Sequence, residues 1–225
     1  MDSLPFKIQI SINDKIYLKN PESSELGRKV ISSSIDLIDE IGYEKFTFKK
    51  LGIIIGSPES TIYRYFESKH RLLLYLFTWY WGWLEFRLLF SIGNIKKPKD
   101  KLIEAIRILT GSIHEDDIFS HVNEIKLNQI IITESSKVYH TREVDAENKE
   151  GCYIVYKRLV GRVSDVILEI NPTYKHPHTL VSTIIEGAQH QKYFAEHLPK
   201  LTDVKNPKDD ITIFYTELVL KMIDT

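Results

Sequence analysis

Residues 47–74 read TFKKLGIIIGSPESTIYRYFESKHRLLL, and the fold follows from how this stretch divides. Phe48, Leu51, Gly52 and Ile55 fall at i, i+3, i+4 and i+7, one face of a helix too short to stand alone. Gly56 follows the last apolar residue, where a chain leaving a helix turns left-handed. Ser57 is expected to cap the next helix by accepting a backbone N–H, with Pro58 pre-set for its first turn. Thr61 to Phe66 supply that second helix, and Ser68 caps a third. Two short helices joined by a glycine turn make a helix-turn-helix, whose second helix can enter a DNA major groove.

These residues resemble the TetR family of bacterial transcriptional regulators, whose DNA-binding domains carry the pattern T…A…G-V-S-x-x-T-[LIF]-Y-x-[YH]-F-x-[SN]-K. It is met here by Thr47, Gly52 in the alanine slot, Gly56, Thr61, Ile62, Tyr63, Tyr65, Phe66, Ser68 and Lys69. Upstream, ISSSIDLIDEIGYEKF matches that family's first helix and its exit at Gly42 and Tyr43. The resemblance implies an all-α chain, with a helix-turn-helix DNA-binding domain over 21–71 and a larger ligand-binding and dimerisation domain over 72–225. It implies phosphate contacts from Thr47, Tyr63, Tyr65 and Lys69, and base-edge contacts from Glu59, Ser60 and Thr61 on double-stranded operator DNA. It also implies a homodimer through 178–197 and 209–224, and a small effector whose binding swings the fourth helix. Repression is the family's commoner habit. Phe66 is read as core.

Several residues depart from the pattern. Ser57 stands for the usual buried valine, and Pro58 shifts the capping position. Glu59 stands where lysine or glutamine is common; a carboxylate can accept from cytosine N4 but repels phosphates. Ile53 and Ile54 occupy places that are usually polar. They favour a rival reading, a TetR-shaped dimeric interaction protein that has lost specific DNA binding and acts through protein contacts.

Net charge is −1 over 225 residues, so the whole chain has no bias toward nucleic acid. Residues 26–71 nevertheless hold eight Lys/Arg against six Asp/Glu, a mildly basic head on an acidic body. The single cysteine, Cys152, excludes an internal disulfide and fits a reducing compartment. The opening MDSLPFK has no apolar core of a signal peptide, and the apolar run Leu72–Leu84 is too short to span a bilayer. A cytoplasmic protein without a membrane segment is expected.

Before the helix-turn-helix, residues 4–18 alternate apolar and polar through Phe6, Ile8, Ile10 and Ile12, with Ile16 and Leu18 beyond a turn-prone Asn13-Asp14. This predicts an extended arm or small β-hairpin within 1–20. It packs on the body or a partner subunit, or else reads a groove through Lys7, Lys15 and Lys19. After the motif, Lys69–Ile92 is apolar on nearly every side and predicts a helix covered from several directions. Further stripes predict helices from Leu102, from Val122 to Lys137 with Ile125, Ile130 and Ile131 inward, and down to Asn171-Pro172. Two more follow, over His178–His197 and Asp209–Asp224, the last carrying Ile211, Phe214, Leu218, Val219 and Met222. Gly187 and Ala188 are small enough to admit a close helix.

Aromatic residues crowd the fourth helix. A largely apolar ligand pocket is placed among Trp79, Trp83, Phe86 and Tyr156, although such stripes more often form core. The histidines show no recognised ligand spacing; His114 with Glu115, Asp116 and His121 reads as a solvated turn, and no metal or cofactor is expected. Cys152 reads as an inert buried thiol. No Gly-rich phosphate loop, G-x-S-x-G or paired carboxylates support an enzyme.

Overall fold

Ser24 opens the first helix by accepting the Gly27 N–H at 3.1 Å; α1 runs Glu25–Ile41 and ends on Gly42 at φ +76°. A computed structural model of the chain describes residues 10–114, 119, 121–207 and 209–224. Among them the regular structure is helical throughout, with no strand. After α1 come α2 (Phe48–Ile55), α3 (Glu59–Tyr63), α4 (Lys69–Ile92), α5 (Pro98–Thr110) and α6 (Glu124–Glu134). The short α7 (Ser136–Tyr139) and α8 (Val144–Lys149) lead to α9 (Ile154–Ile170), α10 (Pro177–His197) and α11 (Asp210–Ile223).

The chain forms two compact units. One joins Met1–Gly82 to His114–Tyr153; the other joins Trp83–Ile113 to Ile154–Thr225. The α4 helix supplies residues to both, and Leu72 to Glu85 are buried without interruption, as its all-round apolar sequence requires.

In the first unit α1 is covered on two sides, by α2 and by α6. That is why Ile35 and Leu37 are buried along with Val30, Ile31, Ser34 and Ile38. Charged contacts pin the same segment: Lys126 Nζ lies 2.6 Å from Asp36, and Lys137 bridges Glu44 at 2.9 Å and Glu134 at 2.6 Å. Residues 114–153, within the span assigned above to the ligand-binding domain, therefore pack in the helix-turn-helix unit.

In the second unit α5 touches α9, α10 and α11, which also pack α9 on α10 and α10 on α11. Gly187 gives close approach within the chain: a Cβ there would stand 2.0 Å from the Tyr215 hydroxyl of α11. Glu85 is buried and takes Arg158 Nε at 2.7 Å and Nη2 at 2.6 Å, and Arg162 Nε at 2.5 Å. Burial works against its charge, yet the two guanidinium groups outweigh it and hold its pKa below the ordinary value.

One stripe assignment needs correcting: Ile125 of α6, expected inward, is exposed. On α11 Tyr215 is buried within the chain, while Phe214 and Met222 are exposed. Periodicity identifies a helix, but the neighbours decide which of two apolar flanks is covered. Residues 1–9, with Phe6, Lys7 and Ile8 of the expected hairpin, lie outside the described residues. The described part of the arm has no strand. Asn13-Asp14 turns the chain by a 3-10 turn at Asp14–Ile16, with the Asn13 side chain accepting the Lys15 N–H at 3.0 Å. Among the described residues no helix is long and apolar enough to cross a membrane.

Candidate nucleic-acid interface

The surface is built from the α2–α3 turn. Thr47 caps α2, its Oγ1 accepting the Lys50 N–H at 3.2 Å. Gly56 takes the left-handed conformation at φ +68°, and the Ser57 N–H reaches back to the Gly52 carbonyl at 2.9 Å. The sequence placed a cap on Ser57, but the capping position is Pro58 and no side chain caps α3. The helix accordingly begins at Glu59 and ends at Tyr63, earlier than the Thr61–Phe66 expected, and the chain turns through Arg64 and Tyr65.

The α3 helix buries Ile62 and leaves Glu59, Ser60, Tyr63 and Arg64 exposed, with Thr61 half-buried. Tyr63 packs its ring edge-to-face on Phe48 at 4.9 Å while remaining 47% exposed. Lys49, Gly52, Ile53, Gly56, Ser57, Pro58 and Glu59 line one open depression at the turn. Lys49 and Arg64 are not among the expected contact residues, although Arg64 falls in the expected second helix and both count among the basic residues of 26–71. Their signal is positional: Lys49 lies two residues beyond the Thr47 cap, and Arg64 follows Tyr63, both facing solvent.

Two of the seven expected contact residues are placed differently. Tyr65 is 3% exposed, and its hydroxyl is engaged with Ser24 Oγ at 2.9 Å, so it does not share the open face. Lys69 is half-buried; its ammonium donates to the Tyr43 carbonyl at 3.2 Å and sits 4.5 Å from the centre of the Tyr43 ring. Burial, then the neighbouring carboxylates of Glu44 and Glu134, push the Tyr43 hydroxyl pKa up to about 12, so that ring stays neutral. Thr47, Glu59, Ser60, Thr61 and Tyr63 remain together on the α2–α3 surface. Phe66 is fully buried.

The expected pocket residues divide between the units. Trp79, in the first, packs edge-to-face on Phe119 at 5.3 Å. In the second, Arg87 lies 4.8 Å over the Trp83 ring, Phe86 stacks toward Phe90, and the Tyr156 hydroxyl donates to Glu186 at 2.9 Å. Cys152 is buried with Arg71 Nη1 at 3.5 Å from its sulfur, and burial pushes its pKa up. Among the described residues no group of three His, Cys, Asp or Glu could hold a metal ion; Glu115 and Asp116 lie outside them.

No family model matches the sequence, and no curated protein matches it. Solved structures do. A protein assigned to the TetR family of transcriptional regulators, from Syntrophomonas wolfei, is 15% identical with a TM-score of 0.66, covering 89% of this chain and 96% of its own. AibR, solved with isovaleryl coenzyme A and operator DNA, is 15% identical with a TM-score of 0.61, covering 86% and 97%. The superantigen PfiT is 16% identical with a TM-score of 0.57, covering 90% and 97%. At such identities the likeness concerns architecture. The chain has the fold of the TetR-family transcriptional regulators.

Proposed function

We propose that the chain is a transcriptional regulator that binds operator DNA as a homodimer, with α3 entering the major groove. One observation carries the reading: α3 buries Ile62 and turns Glu59, Ser60, Tyr63 and Arg64 to solvent beside a left-handed glycine turn. Hydroxyls and cations on such a surface suit phosphate and base-edge contacts. Thr47 and Tyr63 bind phosphate, Lys69 lends charge from the start of α4, and Glu59, Ser60 and Thr61 face bases. Exposed Ile213 and Phe214 on α11 and Tyr193 on α10 support a dimer through the last two helices. A repressor released by a small, largely apolar effector bound beside Trp83, Phe86 and Tyr156 is the fuller form; in AibR's ligand, isovaleryl coenzyme A, the acyl group is apolar and the coenzyme is polyanionic.

Selection of bound sequences from random duplex DNA, followed by gel shifts across a salt series, tests the proposal. A specific complex that weakens steeply with salt is expected. Binding that ignores sequence, or none, overturns it.

Ile53 at 75% exposure and Ile54 at 52% favour a second reading, a dimeric protein of this shape working through protein contacts. PfiT is consistent with such a role for the fold. Under that reading the random-DNA selection yields no sequence.

A further inference from the structure

We propose that residues 10–20 are a strap that sets the position of α3, fastened at one end to the exit of that helix and at the other to residues 147–152. The inference rests on the DNA-binding reading for its consequence, but the strap itself can be tested without DNA.

The first fastening is at Tyr65. A short helix leaves its last carbonyls without partners inside the helix. Here the Leu18 N–H donates to the Tyr65 carbonyl at 2.8 Å. The Lys19 ammonium stands 5.3 Å from the centre of the Tyr65 ring, and the Tyr65 hydroxyl meets Ser24 Oγ at 2.9 Å. Tyr65 is thus gripped at carbonyl, ring and hydroxyl by residues 18–24, two positions beyond the end of α3.

The second fastening is at Glu150. Asn13 Nδ2 donates to the Glu150 carbonyl at 2.8 Å, next to Gly151 in the left-handed region at φ +84°. The Glu150 carboxylate takes Arg71 Nη2 at 3.0 Å, and Glu147 takes His70 Nε2 at 2.8 Å, so this segment is bound in turn to the first turn of α4. Between the fastenings Ile16 is fully buried and Tyr17 packs edge-to-face on Tyr75 at 6.2 Å. Beyond them the chain is locked to α1: a Cβ on Gly27 would stand 2.1 Å from the Pro21 carbonyl oxygen.

The strap therefore ties the back of the groove-facing helix to a segment nearly ninety residues further along the chain. Leu18 and Asn13 are positioning residues. They act through Tyr65 and Glu150, where a groove-reading arm would act through Lys15 and Lys19.

Leu18→Pro removes the donor to Tyr65 while discarding little packing, since the Leu18 side chain is 65% exposed. Leu18→Ala keeps the donor and is the control. Asn13→Ala releases the far end. Amide exchange in the free protein is measured at residues 64–66 and 147–152, and operator affinity across a salt series. Leu18→Pro and Asn13→Ala are expected to speed exchange at both fastenings and to weaken the operator about five- to tenfold, the effect of one lost hydrogen bond. The salt slope stays unchanged because no phosphate contact is lost. Unchanged exchange at residues 64–66 in Leu18→Pro overturns the strap. Faster exchange with unchanged affinity overturns its positioning role. A shallower salt slope in Lys19→Gln shows a groove-reading arm and also overturns it. If the wild-type chain binds no duplex, the regulator reading falls, and the exchange data alone decide the strap.

Discussion

Replacing Gly52 by alanine, the residue the family pattern favours, separates local propensity from tertiary packing by sign. Gly52 lies inside α2, where alanine in place of glycine stabilises a helix by about 1 kcal/mol on propensity alone. In this chain a Cβ at position 52 would stand 2.6 Å from the Ser57 carbonyl oxygen and 3.3 Å from the Glu59 nitrogen. Both are backbone atoms, and the turn cannot swing away freely because the Ser57 N–H is bonded to the Gly52 carbonyl at 2.9 Å. Overpacking against such a wall costs about 1–3 kcal/mol. The net expectation is a loss of about 1 kcal/mol, or about 2–4 °C in Tm for a chain of this size. Since the same Cβ presses on the first residue of α3, operator affinity is expected to fall with it. Urea denaturation and a gel shift measure the two effects. A Gly52→Ala protein more stable than wild type by about 1 kcal/mol would refute the reasoning and leave only helix propensity.

Glu85→Gln is expected to destabilise the second unit by about 1–2 kcal/mol at neutral pH, a buried carboxylate's share discounted because Arg158 and Arg162 are half-exposed. The folded pKa of Glu85 lies below its ordinary 4.5, so its contribution is full above that value and is lost as pH falls through the lowered one. Denaturation at neutral and strongly acid pH should therefore show the variant and wild type converging in acid; a difference that persists there contradicts the ion-pair account. Replacing both Ile53 and Ile54 by lysine should strengthen operator binding and steepen its salt dependence, by at most about 0.9 in log–log slope per added phosphate contact. Weaker DNA binding by the double variant would count against the groove-facing reading. Phe214→Glu, on an exposed face of α11, should yield a monomer by analytical ultracentrifugation with its circular dichroism unchanged. A persistent dimer would place the subunit contact elsewhere.

Much of the helical order was legible because it is written locally. Gly56 announced the turn, Ser68 does cap α4 through the Arg71 N–H at 3.2 Å, and the apolar run set α4 at Lys69–Ile92. Caps and left-handed glycines depend on a few neighbouring residues, so their spacing alone identifies them. Glu59 and Ser60, which α3 exposes, were named from the family pattern, while the bounds of that helix were not legible.

Tertiary structure decided the rest. A tyrosine can meet a phosphate or a buried serine with equal chemistry, and only the approach of residues 18–24 turned Tyr65 inward. Lys69 was drawn to the Tyr43 carbonyl by the path of the chain leaving α1. Ile125 shares its helix with equally apolar residues, and partners remote in sequence selected which were covered. The sequence by itself determined the order of the main helices, the glycine exits at Gly42 and Gly56 and the cap at Ser68, since those are contacts between residues a few positions apart, but not the bounds of α3. Which flank of each helix is buried came only from distant elements brought together by packing, whereas Gly52 lacks room for a methyl group because the turn after α2 brings Ser57 and Glu59 back onto it.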